Sequence, residues 1–417
     1  VGAIVLLSAG VRLWLATGFT VPWIAPDEMV YGLLGQSLWE SGELTVRGAP
    51  TAYYSLLTPA LVGLPLSLDD VGAGVRAAQG LQVLAMSLVA VPVFLWGRPL
   101  AGARWGLAAA VLCLLPPAHW YGGLLMTEAL FVPLVTTALL ATARALEEPT
   151  ALRQGVLLLA VTAAACVRLQ GLILLAALFV GVGLHAWFGR SGTTAWRLAP
   201  VLALLVLAGL GTAVVQGFAA SAGWDQSLGA YAVLASEAPS THGALQQAAW
   251  HGGALVLLTL GLPLLATASL VVGAAAGREP DPAVRAFAAV TAAYVLLLVG
   301  QVSAFAAGYL DHVGQRYLVT ALPPLFLGLC VWLRRGAPRT RAVAVVLAAG
   351  AVALVASIPP DRLAVPEGLH DTFATLPLLR LGGEGAGRQL VLIGVAVLAG
   401  TAFVALPRRA LLVGAGV

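Results

Sequence analysis

The sequence predicts an all-α polytopic membrane protein, and three observations predict it. The first is composition. Of 417 residues, 60% are hydrophobic and 10% charged, and mean hydropathy is +0.94. A soluble protein carries about 25% charged residues, so this chain has too few charges to cover a globule in water. The same arithmetic excludes disorder, collagen and coiled coil. The expected surroundings are a lipid bilayer, with no nucleic-acid partner. The second observation is a succession of apolar runs near the length a bilayer asks for. The third is the distribution of charge between the loops that join them.

A span needs about 20 mostly apolar residues. In chain order, about twelve runs qualify: near 1–19, 71–96, 105–118, 129–146, 154–167, 170–188, 199–220, 252–275, 286–307, 318–333, 342–358 and 389–406. The first has no cleavage-site pattern and reads as a retained helix. The stretch 154–188 is too long for one span and reads as two short helices meeting at Arg168 and Gln170. Between 27 and 68 the pattern predicts two short amphipathic helices lying along the membrane surface. Leu33, Leu34, Leu38 and Trp39 give one apolar face; Tyr53, Tyr54, Leu56, Leu57, Leu61 and Leu64 give the other. Cys113, Cys166 and Cys330 fall in apolar runs without pairing or CxxC spacing. No internal repeat and no separate soluble domain is evident, so residues 1–417 read as one membrane domain.

With both termini placed inside, 14 of the 22 basic residues fall in short inner loops, as the positive-inside rule asks. Of the 18 acids, 14 fall outside, and so do His119, His242, His251, His312 and His370. The longest loops, near 20–70, 221–251 and 359–388, share that side. Long loops in a compact fold are commonly functional, so the outer face of a plasma-membrane protein is where chemistry is expected. All 22 basic residues are Arg and none is Lys. GC-rich coding ordinarily explains such a bias. It still removes lysine as base, nucleophile or phosphate ligand.

The first outer loop opens with Pro26-Asp27-Glu28-Met29-Val30-Tyr31. Pro at the first helical position and acids in the first turn are favoured at a helix start, so capping alone would account for them. The alternative is a carboxylate held ionised by helix-start amides and used as a general base. A second acid, Glu128, opens an apolar helix after His119-Trp120-Tyr121. An ionisable group at a span is a functional candidate.

Together these residues resemble the GT-C superfamily of integral membrane glycosyltransferases, in the branch holding protein O-mannosyltransferases and lipid A aminoarabinose transferases. Asp27-Glu28-x-x-Tyr31 in a long first outer loop carries the resemblance, with Thr127-Glu128-Ala129-Leu130-Phe131, Val167-Arg168-Leu169-Gln170-Gly171, and Gly314-Gln315-Arg316-Tyr317 before Pro323-Pro324. The architectural likeness covers nearly the whole chain; the motifs concentrate in 20–175. It implies a GT-C bundle and a sugar donor on polyprenyl phosphate. The acceptor would be a glycan, lipid or protein, attacked with inversion. By that likeness Asp27 is the base, and Glu28 and Glu128 shape the acceptor site or stabilise oxocarbenium charge. Tyr31, Tyr54, Trp120, Gln170 and Tyr317 would line the substrate.

Three departures stand out. The chain has no Lys for the donor phosphate, Tyr53-Tyr54-Ser55 replaces a Pro-Pro in the second surface helix, and only the 359–388 loop stands where many relatives carry a soluble outer domain. Arg must therefore hold the phosphate, since its planar fork and permanent charge suit that anion. Arg168 is the first candidate; snorkelling to the interface would be its other explanation. Arg316 is the second, with His312 beside it, and an ion pair to Asp311 is the alternative there. Asp27, Glu28, Glu128, His312 and His370 have the chemistry of metal ligands, which leaves a divalent cation open, but no HExxH spacing occurs. Trp224 and Asp225 read as a sugar contact or an interface anchor.

The rival function is a secondary transporter or flippase of lipid-linked sugars. Twelve spans with both ends inside suit it, and Gly97-Arg98-Pro99-Leu100-Ala101-Gly102-Ala103-Arg104 is similar to the inner loop of the major facilitator superfamily. A first outer loop of about 50 residues and the absence of a repeat speak against it.

Overall fold

The computed structural model describes residues 1–18, 25–50, 55–190, 196–205, 241–310, 312–366 and 368–405. In chain order the helices are α1 (Gly2–Ala16), α2 (Pro26–Ser41), α3 (Leu57–Leu66), α4 (Val71–Ser87), α5 (Ala90–Ala101), α6 (Ala103–Leu112), α7 (Glu128–Glu147), α8 (Ala151–Val167) and α9 (Ile173–Gly189). After them come α10 (Thr241–Leu258), α11 (Leu262–Ala275), α12 (Pro282–Tyr309), α13 (Leu322–Arg334), α14 (Arg341–Ala356), α15 (Leu369–Thr372), α16 (Leu376–Leu381) and α17 (Ala386–Ala405). Strands β1 (Thr45–Val46) and β2 (Ala49–Pro50) pair antiparallel between α2 and α3. That hairpin departs from the all-α expectation. Arg47 and Gly48 both take positive φ, 55° and 79°, the twist a two-residue hairpin turn requires.

Six segments are long and apolar enough to cross a membrane: Val71–Ala101, Glu128–Glu147, Leu169–Gly189, Pro282–Tyr309, Gln315–Arg334 and Ala386–Ala405. A pair bent by 112°, Gly243–Leu258 with Leu262–Ala275, makes seven if it is one span. Among the described residues, six or seven of the expected dozen spans are thus present by length and composition. The other apolar runs form shorter helices, among them α1, α6, α8 and α14. At 1.5 Å per residue these are about 15–26 Å long, short of a hydrocarbon core of about 30 Å. Apolarity sets where a helix lies, whereas local chemistry sets how long it runs. The 105–118 run ends at Cys113, ahead of Pro116-Pro117. The 154–188 run breaks at Arg168, whose backbone is extended, with φ −157° and ψ 134°. The expected span near 199–220 runs beyond the described residues.

Caps fix several helix starts. Asp70, Thr150, Asp281 and Thr340 each accept a hydrogen bond from a backbone N–H in the first turn that follows, which satisfies a donor the helix itself leaves free. Proline and acids open α2, and Gly42 closes it in the left-handed conformation with its N–H on the Leu38 carbonyl. α2 and α3 form the predicted helix pair of the first long loop. They touch backbone to backbone: a Cβ on Gly35 would lie 2.7 Å from the Gly63 Cα, and one on Gly63 would lie 2.2 Å from the Gly35 carbonyl oxygen. Trp39 Nε1 donates to the Ala60 carbonyl at 3.0 Å and Gln36 Nε2 to the Leu66 carbonyl at 2.8 Å.

The segment Gln315–Arg334 is the most enclosed, with 89% of its apolar window buried, against 28% for Ala386–Ala405. It runs through the middle of the bundle. Trp96 meets Phe287 edge to face at 5.2 Å, and the buried Tyr294 hydroxyl donates to Thr320 Oγ1 at 2.6 Å. That bond ties α12 to the 3₁₀ turn Gln315–Ala321, which carries the next feature.

Candidate active site

Five elements far apart in sequence meet at one end of the bundle. The first turn of α2 brings Asp27 and the first residue of α7 is Glu128. The break after α8 supplies Arg168. The 3₁₀ turn Gln315–Ala321 brings Arg316 and Tyr317. The short α15 adds Asp371.

Arg316 is the hub. Its NH1 donates to Asp27 Oδ2 at 3.0 Å and its NH2 to the Tyr317 hydroxyl at 3.0 Å. Its Nε lies 2.9 Å from Asp371 Oδ1 and 3.5 Å from Glu128 Oε1. Neither contact is aligned as a hydrogen bond, since Nε and Oδ1 both lack a hydrogen-bond partner, so they are ion pairs held by charge. Arg168 NH1 donates to Glu128 Oε1. Both guanidinium carbons lie over the Tyr317 ring, at 4.9 Å for Arg168 and 5.0 Å for Arg316. That is cation–π distance. Arg168, Glu128, Arg316 and Asp371 are buried, and the Asp27 side chain keeps 21% of its exposure. Asp27 is thus the carboxylate of this cluster that a solute reaches. Among the described residues its Oδ1 has no partner.

Arg168 is accounted for by Glu128 rather than by reaching for the interface. Arg316 takes Asp27, Glu128 and Asp371 among the described residues; Asp311 lies outside them. Three carboxylates therefore surround two guanidiniums, and the charges interleave.

Asp371 was not singled out from sequence, although its loop was marked as functional by its length. It is held from both sides: Oδ1 is ion-paired with Arg316, and Oδ2 accepts from His312 Nε2 at 3.2 Å. Burial alone would raise its carboxyl, but the Arg316 charge and the His312 hydrogen bond hold it below the usual range. The same loop is laced to the 3₁₀ turn by backbone and amide bonds. Val313 N donates to the Arg362 carbonyl at 2.9 Å, and Gln315 Nε2 to Thr375 Oγ1 at 2.8 Å and the Leu363 carbonyl at 3.2 Å. From the other side, the Gly314 N–H donates to His251 Nε2 at 3.2 Å, while His251 Nδ1 sits 2.7 Å from the Gln247 carbonyl. A carbonyl partner makes Nδ1 the donor and Nε2 the acceptor, which fixes a neutral imidazole.

Glu28, next to Asp27, faces elsewhere. Its Oε2 accepts from the Ala25 N–H and its Oε1 from the Leu125 N–H, each at 3.0 Å. It caps α2 and fastens that helix to the segment before α7. Gln170 Nε2 donates to the Tyr317 carbonyl at 3.4 Å. His312 joins the cluster through Asp371. Tyr31 is buried one turn beyond Asp27. Trp120 stands apart, 53% exposed, on a separate small cavity. Tyr54, Trp224 and Asp225 lie outside the described residues. No group of three or more His, Cys, Asp or Glu among the described residues is arranged to hold a metal ion, because guanidiniums stand between the carboxylates.

No family model matches the chain, and no curated protein matches it by sequence. Among solved structures it is similar to ArnT from Cupriavidus metallidurans in the apo state, with a TM-score of 0.55. It is similar to the same protein bound to undecaprenyl phosphate, with a TM-score of 0.56. Each match has 14% identity and covers 96% of this chain and 77% of the other. The chain therefore has an ArnT-like fold over 96% of its length.

Proposed function

With an ArnT-like bundle as the frame, we propose that this protein transfers a sugar from a polyprenyl-phosphate donor to an acceptor hydroxyl, with inversion, at the outer face of the plasma membrane. The observation that carries the reading is Asp27, the reachable carboxylate of the cluster, held by Arg316 at 3.0 Å through one oxygen and free among the described residues at the other. The solved relative bound to undecaprenyl phosphate supports the lipid class of the donor.

In this reading the acceptor hydroxyl loses its proton to Asp27 as its oxygen bonds to the anomeric carbon. The bond from that carbon to the phosphate oxygen breaks, and polyprenyl phosphate leaves with the electron pair. Arg316 orients Asp27 for the attack through the bond to its Oδ2. Arg168 and Arg316 supply positive charge for the departing phosphate, and His312 stands behind them on Asp371. Glu128 and Asp371 hold the two guanidiniums in place. Tyr317, under both, forms the wall between them. Glu28 positions α2 and touches no substrate.

The test is product formation by purified protein in nanodiscs given a mixed pool of polyprenyl-phosphate sugars and candidate acceptors, read by mass spectrometry. A glycoside and free polyprenyl phosphate in equal amounts are expected. Movement of intact donor across the bilayer without any glycoside would overturn the reading in favour of a flippase.

A further inference from the structure

The cation that stands out beyond this cluster is Arg12. It lies on α1 and is 8% exposed, and every partner it has among the described residues is uncharged. Nε donates to Ser8 Oγ at 3.1 Å, NH1 to the His119 carbonyl and NH2 to the Leu114 carbonyl. A guanidinium has five N–H donors, so two remain without a partner among the described residues. Carbonyls orient such a charge but do not neutralise it, and a buried charge without a counter-ion is costly. Arg168 and Arg316, by contrast, each have carboxylates.

Arg12 lines a cavity of about 140 Å³ with Leu15, Ala16, Trp120 and Gly123. None of Asp27, Glu128, Arg168, Arg316 or Asp371 lines it. A water occupies about 30 Å³ of liquid, so the space takes a phosphate group and leaves its substituent outside. Its apolar lining reaches the surface at Leu15 and Trp120, both exposed, and α1 also exposes Leu7, Val11 and Trp14. A buried cation under a cavity whose mouth is apolar and aromatic matches an anionic head on a hydrocarbon tail. An indole at the mouth fits the level of lipid headgroups. The charge is felt nearby, since burial and the Arg12 charge together push His119 down to about 3.

We propose that Arg12, Trp120 and Gly123 form a binding site for the phosphate of a membrane lipid, separate from the cluster around Arg316. The phosphate supplies the counter-ion that Arg12 lacks and takes its two remaining N–H donors. The tail lies along the exposed side of α1. Two lipids offer this chemistry, a polyprenyl monophosphate and an anionic phospholipid of the bilayer. The site does not depend on the transferase reading.

The experiment counts bound lipid on the detergent-purified chain by native mass spectrometry, with polyprenyl monophosphate, phosphatidylglycerol and uncharged polyprenol as probes. The wild type is expected to hold one more equivalent of a phosphate lipid than Arg12→Gln does, or to hold it at least tenfold tighter. Polyprenol should bind the two alike, and Arg12→Lys should recover part of the difference. If phosphatidylglycerol binds as well as polyprenyl monophosphate, the occupant is a bilayer phospholipid; if only the latter binds, it is the carrier lipid. Equal retention by wild type and Arg12→Gln, or no preference for phosphate over polyprenol, overturns the proposal. Because Arg12→Gln also loses bonds to Leu114 and His119, Gly123→Val is the second variant. It fills the cavity from the side of Ala16, whose Cβ lies 3.3 Å from the new Cβ, and leaves the three Arg12 bonds in place. Unchanged lipid retention there overturns the proposal as well. Sugar transfer with no change in lipid retention on mutation would leave the function standing and remove only this site. Lipid retention through Arg12 without transfer would do the reverse.

Discussion

Arg316 reaches Asp27 across 289 positions of sequence to make a 3.0 Å hydrogen bond. That contact joins the first long loop to the most enclosed span, and the site is built around it. Asp27→Asn keeps the shape and one acceptor but removes the base. Loss of a general base costs about 10²–10⁴-fold in rate. Transfer by the folded variant should fall by that much, with an unchanged melting temperature. Wild-type turnover would take the base assignment away.

Arg316→Ala should cost stability as well as turnover. It leaves Asp371 and Glu128 buried without one of their partners, and breaking a buried pair from one side costs about 3–5 kcal/mol. A large fall in detergent melting temperature is expected. An unchanged melting point would mean that the three carboxylates do not depend on this guanidinium.

Glu28→Gln separates Glu28 from its neighbour. The amide has one acceptor oxygen for two backbone N–H groups, so one donor loses its partner, at about 1–3 kcal/mol. Stability should drop, while turnover per folded molecule stays within about tenfold of wild type. Turnover as low as that of Asp27→Asn would place Glu28 in the chemistry.

Asp371→Asn should loosen the 359–388 loop. The charge that holds Arg316 and His312 is gone, while the Gln315 and Val313 bonds remain. Faster proteolytic cleavage within the loop is expected, along with a stability loss of about 1–3 kcal/mol. Because its folded carboxyl is depressed, Asp371 stabilises the protein above the unfolded value of about 3.9. That share is lost as pH falls through the lower folded value. Acid unfolding of Asp371→Asn should therefore be shallower than that of wild type below about pH 4.

His119 sets a milder pH dependence. Its folded value of about 3 lies below the ordinary 6.5, so the unfolded chain binds the proton first. Stability is full above about pH 6.5 and falls as pH drops, by about 2 kcal/mol at pH 5 from this group. His119→Phe should flatten the melting-temperature profile between pH 7.5 and 5. A profile parallel to wild type would show that His119 titrates normally.

Much of the site was legible in sequence, for a physical reason. A charge in an apolar run has to be compensated, so Glu128, Arg168 and Arg316 stood out against Ala, Leu and Val. Their partners did not, because pairing between positions 27, 128, 168, 316 and 371 is a property of the fold. Asp371 sits in an ordinary-looking loop, Leu369-His370-Asp371-Thr372, where a carboxylate is unremarkable until Arg316 is found against it. Asp27 and Glu28 look equivalent in sequence, yet a helix turns adjacent residues about 100° apart, one toward Arg316 and one toward backbone amides. The helical character and the break at Arg168 followed from composition and polarity. The helix ends did not, since a run of apolar letters does not reveal where Pro116 or an extended Arg168 cuts it.

The close crossing of α2 and α3 at Gly35 and Gly63 has a mechanical meaning. Eight residues, or about 12 Å of helix, separate that crossing from Asp27, and two backbones in contact leave no compressible side chain between them. The crossing acts as a fulcrum and α2 as a lever with the carboxylate at its tip. A methyl group added at Gly35 should swing the tip away from Arg316 and depress turnover without touching a charged residue. Wild-type turnover in Gly35→Ala would show that the lever bends instead.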